Sequence, residues 1–158
     1  MESTERSELV GSLVTGIGLF FDDEDYERAV RETFKSSVLD NDHDKIVQIG
    51  NTLFLLLNCY WWETAWNEDW KGDEPEITFQ TLNTCGSEID EAYEGNITQR
   101  DKLERNLRWL LDYGVITKDW KTAAYHFNDD FLEDYEKSIR RNVDIAYSSG
   151  RFKGAFNG

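Results

Sequence analysis

The chain has 158 residues, 39% hydrophobic and 14% aromatic, enough apolar material for one compact domain of ordinary size. A single proline excludes a Pro-rich linker or a collagen-like chain. With 32 acidic and 17 basic side chains the formal net charge is −15, which argues against a protein that coats nucleic acid through bulk charge, because such binding rests on phosphate neutralisation.

Two cysteines, Cys59 and Cys85, are too few for a disulfide scaffold and are not spaced as a zinc pair. No apolar run reaches about 18 residues, so no transmembrane helix is expected. The N-terminal MESTERSELV is polar and acidic where a signal peptide is basic and then apolar. The expected address is therefore cytoplasmic, with reduced thiols. The sequon Asn96-Ile97-Thr98 is accordingly read as a chance match.

In chain order, residues 5–21 read as a first helix, with Leu9, Val10, Leu13, Val14, Ile17, Phe20 and Phe21 recurring at three and four. Gly11, Gly16 and Gly18 weaken it, unless they serve close helix packing. Asp22 to Asp25 open a second helix, where acids complement the positive helix end, and Tyr26, Ala29, Val30, Phe34 and Val38 form its apolar face. After a polar break a third helix is expected from about 43 to 66. Its centre, Leu53 to Leu57, is apolar all round, which predicts a central buried helix. An aromatic patch of Tyr60, Trp61, Trp62 and Trp66 ends it, and residues 67–76, with Gly72 and Pro75, form a loop.

Ile77 to Leu82 is a short strand or helical turn, and Ser87 to Tyr93 a short helix. Glu94 to Ile97 makes a turn. Thr98 then caps a helix running to Tyr113, with Leu103, Leu107, Leu110 and Leu111 inward, Asp101 in a capping-box position and Gly114 as C-terminal cap. Residues 115–117 and 124–127 are two short strands about a turn holding Lys118, Asp119 and Lys121. Asn128 or Asp129 caps a last helix through Tyr147, bearing Leu132, Tyr135, Ile139 and Val143 on one face. The Gly-rich end, 149–158, is expected to fray.

Short helix, tight turn, longer helix, then Gly114-Val115-Ile116 into a hairpin is a specific order of parts. Ser87-Glu88-Ile89 opens the second helix, Thr98-Gln99 the next, and Tyr125 and Phe127 alternate along the return strand. Over about residues 77–135 this resembles the winged helix-turn-helix family of bacterial and archaeal transcription regulators. The resemblance implies a mainly α fold: a winged helix-turn-helix at 77–128 with a small β-hairpin wing. An acidic N-terminal helical region (1–76) precedes it, and a C-terminal helix (129–148) and a flexible tail (149–158) follow. It departs from the family at Tyr93-Glu94, in place of a small residue, and in the acids Asp101, Glu104 and Asp112 on the helix that would face phosphate.

Charge is split along the chain. Residues 1–97 carry 6 basic and 22 acidic side chains, whereas residues 98–158 carry 11 basic and 10 acidic. If Leu103, Leu107 and Leu110 face inward, then Gln99, Lys102, Arg105, Asn106 and, at the margin, Arg108 lie toward the other side. By the resemblance these would read the major groove of double-stranded DNA, with Lys118 and Lys121 of the wing on phosphate and Arg100, Arg140 and Arg141 as weaker candidates. The resemblance also implies a homodimer, through helices 5–38 and 129–147 with the tryptophan cluster contributing. The implied function is a non-enzymatic, sequence-specific transcription regulator of archaeal or viral origin.

The acidic half admits three readings: a surface suited to concentrated salt, a carboxylate surface that mimics DNA and occupies a basic protein partner, or plain solubility. The second of these makes an acidic adaptor or inhibitor the alternative function. Asp40, Asp42 and Asp44 alternate like a calcium loop, but Lys45 stands where glycine is needed and Asn51 where glutamate is. His43 and His126 lack partners at metal spacing, and no phosphate loop, catalytic constellation or cofactor motif emerges, so no metal, cofactor or enzymatic activity is expected.

Overall fold

The computed structural model describes residues 1–19, 24–34, 42–85 and 100–150. Among these the fold is mainly helical with one small antiparallel hairpin. Helices α1 (Ser3–Gly18), α2 (Glu24–Phe34) and α3 (His43–Thr64) come first. A helical stretch over 79–85 follows, then α4 (Arg100–Asp112), strands β1 (Ile116–Lys118) and β2 (Tyr125–Phe127), and α5 (Asp129–Ser148). The expected second helix, turn and Thr98 cap at 87–98 lie outside the described residues, as do Gln99 and the tail 151–158. No helix among the described residues is long and apolar enough to cross a membrane.

Helix α3 is the axis of the molecule. Asp42 caps it, its side chain accepting from the Lys45 amide at 3.2 Å. Every residue from Thr52 to Tyr60 is buried, as its all-round apolarity requires. Helices α1, α2 and α4 each pack against it, and α5 closes over α1 and α2. The apolar faces of α1, α2 and α5 are thus used inside the chain, in one core that also takes in Leu103, Leu107 and Leu110 of α4 and Tyr125 of β2. Trp62 and Trp66 remain outside it, exposed and stacked at 5.7 Å between centroids.

The glycines of α1 permit close packing at two of their three positions. A Cβ on Gly11 would lie 2.9 Å from the Trp61 indole nitrogen, and one on Gly16 would lie 2.9 Å from the Ile139 methyl, whereas one on Gly18 meets nothing within 4 Å. Polar groups drawn into the core are chained together. Tyr135 donates to the Tyr26 hydroxyl at 2.9 Å, and Tyr26 donates to the Gly50 carbonyl at 2.5 Å. Burial, and then the neighbouring Tyr26, push the Tyr135 phenol well above its ordinary pKa, so it stays a neutral donor.

A second polar junction ties α1 to the start of α5, to α3 and to the loop that follows it. The Arg6 guanidinium donates to both carboxylate oxygens of Asp129 at 2.7 and 2.9 Å and to Glu74 at 2.5 Å. Glu74 also accepts from Tyr60 at 3.0 Å and Ser3 at 2.9 Å. A planar fork serving two carboxylates suits arginine and not lysine. The Asp129 hydrogen bonds raise the Arg6 pKa further, and Arg6 in turn holds Asp129 below the usual carboxylate range. At Glu32 burial opposes ionisation, but hydrogen bonds from Arg141, Asn142 and Ser138 outweigh it and lower the pKa.

Two predictions follow from this packing. Gly11→Ala and Gly16→Ala each lower stability by about 1–3 kcal/mol through overpacking, while Gly18→Ala raises it by up to about 1 kcal/mol; thermal melts of the three variants check the order. Asp129 and Glu32 both have depressed folded pKa values, so their stabilisation is complete above the ordinary carboxylate values of 3.8 and 4.5 and is lost as pH falls through the folded ones. The melting temperature therefore holds level from pH 7 to pH 5 and drops below about pH 4.5, and Asp129→Asn melts lower at pH 7 with a shallower acid slope.

Candidate nucleic-acid interface

Helix α4 ends in a turn that aims the chain into the hairpin. Gly114 adopts a positive φ of 73°, its amide bonds the Leu111 carbonyl at 3.1 Å, and the Val115 amide bonds that of Leu110 at 3.0 Å. This paired closure satisfies two otherwise unpaired helix carbonyls and favours glycine at the left-handed position. Strands β1 and β2 pair with Ile116 opposite Phe127, Thr117 opposite His126 and Lys118 opposite Tyr125. Ile77 adds an antiparallel bridge to Tyr125, so the loop before residues 79–85 lies along the hairpin's free edge.

Between α4 and the hairpin lies a groove of about 480 Å³. Arg100, Glu104, Leu107, Arg108 and Leu111 line it from the helix, Lys118, Trp120 and Tyr125 from the hairpin, and Phe79 from the preceding helical stretch. Cations and rings interleave here. Lys118 Nζ lies 5.4 Å from the Trp120 ring centre and 5.5 Å from that of Tyr125, and the Arg100 guanidinium lies 5.7 Å from that of Phe79. Arg100 also meets Glu104 at 3.4 Å, an exposed pair of small energetic weight. Burial, and then the neighbouring Glu104, raise the Tyr125 phenol, which remains neutral at physiological pH.

The hairpin tip is held by its own hydrogen bonds. The Asp119 amide donates to Ala124 O at 2.8 Å, the Ala123 amide to Asp119 O at 2.7 Å, and the Lys121 amide to the Asp119 side chain at 2.9 Å. Trp120 projects from this tip and is 86% exposed, the most exposed large apolar side chain of the described residues.

The residues expected to face DNA separate into several environments. Arg100 and Lys118 line the groove, joined by Arg108. Lys121 is exposed at the tip and Lys102 is half-buried. Arg105, though exposed, turns toward α3: its guanidinium donates to the Gln48 side chain and lies 5.1 Å from the Trp109 ring centre. Asn106 must be corrected. Expected on the outward side, it is only 1% exposed and donates to Thr52 Oγ1 at 3.0 Å, with its own Oδ1 buried and without a hydrogen-bond partner. The reason is helical spacing: residue 106 sits three after Leu103 and four before Leu110, on the stripe that faces the core. Arg140 and Arg141 are engaged by Glu136 and Glu32 on and beside α5.

Sequence reasoning passed over Phe79 and Trp120. The signal for Trp120 was present, since a tryptophan between Asp119 and Lys121 in a polar turn has no strand or helix face to fill. Phe79 had no such signal, because its place beside α4 depends on tertiary packing. No group of acidic, histidine or cysteine side chains among the described residues is arranged to hold a metal ion. Comparison with known proteins finds no matching family model, and no curated protein or solved structure with significant similarity.

Because Asn106 faces Thr52, Asn106→Leu removes a buried orphan acceptor while depriving Thr52 of its donor. The two effects oppose, so stability changes by less than about 1.5 kcal/mol, and any nucleic-acid affinity stays within twofold of wild type. Parallel melts and binding titrations of the variant check both.

Proposed function

We propose that this protein is a winged helix-turn-helix DNA-binding regulator that meets duplex DNA through α4 and the hairpin. The observation that carries the reading is the groove's charge. In a chain of formal net charge −15, it gathers Arg100, Arg108 and Lys118 against the single acid Glu104. Phosphate contacts of this kind supply most of the affinity of a DNA-binding surface, and a local basic patch suffices to position it. The order of parts among the described residues supports the same reading: α4, the Gly114 turn and the antiparallel hairpin follow one another as the family's recognition helix and wing do.

The reading divides the work of α4 between base reading and backbone contact. Asn106 drops out of the contact set and Arg105 is held partly by Gln48, so base recognition falls to Arg105 and Lys102. Arg100, Arg108, Lys118 and Lys121 supply phosphate contacts. A homodimer belongs to this reading, with the exposed, stacked Trp62 and Trp66 as its contact, since the apolar faces of α1, α2 and α5 are already used inside the chain.

The alternative, an acidic adaptor or inhibitor that binds a basic protein, draws on the three exposed acids of α4, Asp101, Glu104 and Asp112. A gel-shift series with genomic fragments from 50 mM to multimolar salt separates the two. The regulator reading expects retardation that weakens with salt, and a log–log salt slope that falls by about 0.9 for each of Arg108→Glu and Lys118→Glu. Absence of retardation at every salt concentration, with capture of a basic protein, establishes the adaptor instead.

A further inference from the structure

We infer that the groove between α4 and the hairpin receives an unpaired nucleotide, its base stacked on Trp120 and its flanking phosphates held by Arg100, Arg108 and Lys118. This rests on the nucleic-acid reading above and goes further by naming the state of the strand that is bound.

Three observations carry it. The first is the exposure of Trp120. An indole that is 86% exposed buries almost none of its surface in the fold, yet the tip that bears it is fixed by hydrogen bonds through Asp119. A rigid mount for an unburied aromatic ring is what a stacking platform requires. The second is the interleaving of charge and ring. Lys118 lies between the rings of Trp120 and Tyr125, and Arg100 lies over Phe79, so cations for phosphate alternate with π faces for bases. Surfaces that track single strands are built in this way.

The third is size. A groove of about 480 Å³ falls within the range of a small-ligand cleft, roughly 300–1,000 Å³. That accommodates one nucleotide, so a single base enters the groove while the rest of a duplex meets α4 and the hairpin from outside. A base inside a duplex has both faces covered by its neighbours and offers none to Trp120. Only a base that is unpaired, frayed or turned out of the stack does so. An acidic or phosphorylated peptide would satisfy the three cations but leave the indole without a role, so the strand is the better fit.

The test uses the intact protein and four fluorescent DNA probes of one sequence. These are a perfect duplex, a duplex with a one-nucleotide bulge, the same bulge carrying an abasic site, and the single strand. Wild type is expected to bind the bulged duplex and the single strand about 10- to 100-fold more tightly than the perfect duplex. The abasic bulge should lose that preference, because it keeps the phosphates and removes the base. Trp120→Ala should lose it as well, and Trp120→Phe should keep most of it; the side chain is exposed and its loss leaves the core untouched, which melting curves verify. Equal wild-type affinity for all four probes overturns the inference while leaving duplex binding intact. So does a Trp120→Ala defect of the same size on every probe. Binding of none of the probes sinks the nucleic-acid reading itself.

Discussion

The constraint on which the structure depends is that α3 has no polar side across its middle. A helix buried from Thr52 to Tyr60 must be enclosed, and no single neighbour can enclose it. Helices α1, α2 and α4 each take a sector, and α5 completes the layer by packing on the first two. Close approach is purchased locally by small residues: Gly11 and Gly16 on α1, and Gly50 on α3, where a Cβ would stand 3.1 Å from the Tyr26 ring. Enclosure also fixes α4. Its buried stripe, Leu103, Asn106, Leu107 and Leu110, is held against α3 and the hairpin, so the opposite side is presented in one orientation.

That orientation sorts charge. The strongly acidic composition is distributed over the helical surface, and several acids are neutralised where they meet packed elements, as at Asp129 with Arg6 and Glu32 with Arg141. The groove beside α4 differs, with three cations against one acid and three aromatic rings among them. Net charge governs the approach of a polyanion at long range, but within a Debye length, about 8 Å at physiological salt, the local arrangement dominates. A chain of formal net charge −15 with a basic groove would thus combine slow, salt-assisted encounter with a locally favourable contact.

Most of the helical scaffold was legible because its signals are periodic or local. The all-apolar run at Leu53 to Leu57 foretold the buried axis, and Gly114 foretold the end of α4 within a residue. Asn128, one of two candidate caps, proved to be the one that accepts from the Asp130 and Phe131 amides. What escaped the sequence was tertiary. Asn106 reads as polar and therefore outward, yet the spacing of Leu103 and Leu110 places it inside, where Thr52 receives its hydrogen bond. Phe79 could not be assigned to the groove, because nothing local says that residues 79–85 lie beside α4. Arg105 was foreseen as exposed, but its engagement by Gln48 requires knowing which face of α3 lies opposite.

The side chain of Asn128 does two things at once. Its oxygen begins α5, and its amide nitrogen donates to the Gly114 carbonyl at 2.9 Å, just past the end of α4. Serine, threonine and aspartate are interchangeable with asparagine at ordinary helix starts, because only an acceptor is required there. Here they are not equivalent, since aspartate has no proton to give Gly114 and the hydroxyls are too short to span both helices. The position therefore tolerates far less variation than its surface setting suggests. Spontaneous deamidation, which exchanges that amide for a carboxylate, would remove the side-chain link to Gly114 and leave the bond from the residue 128 amide to the Val115 carbonyl, at 2.9 Å, to join the two helix ends: chemical ageing at one atom would act where the groove's helix meets the outer shell.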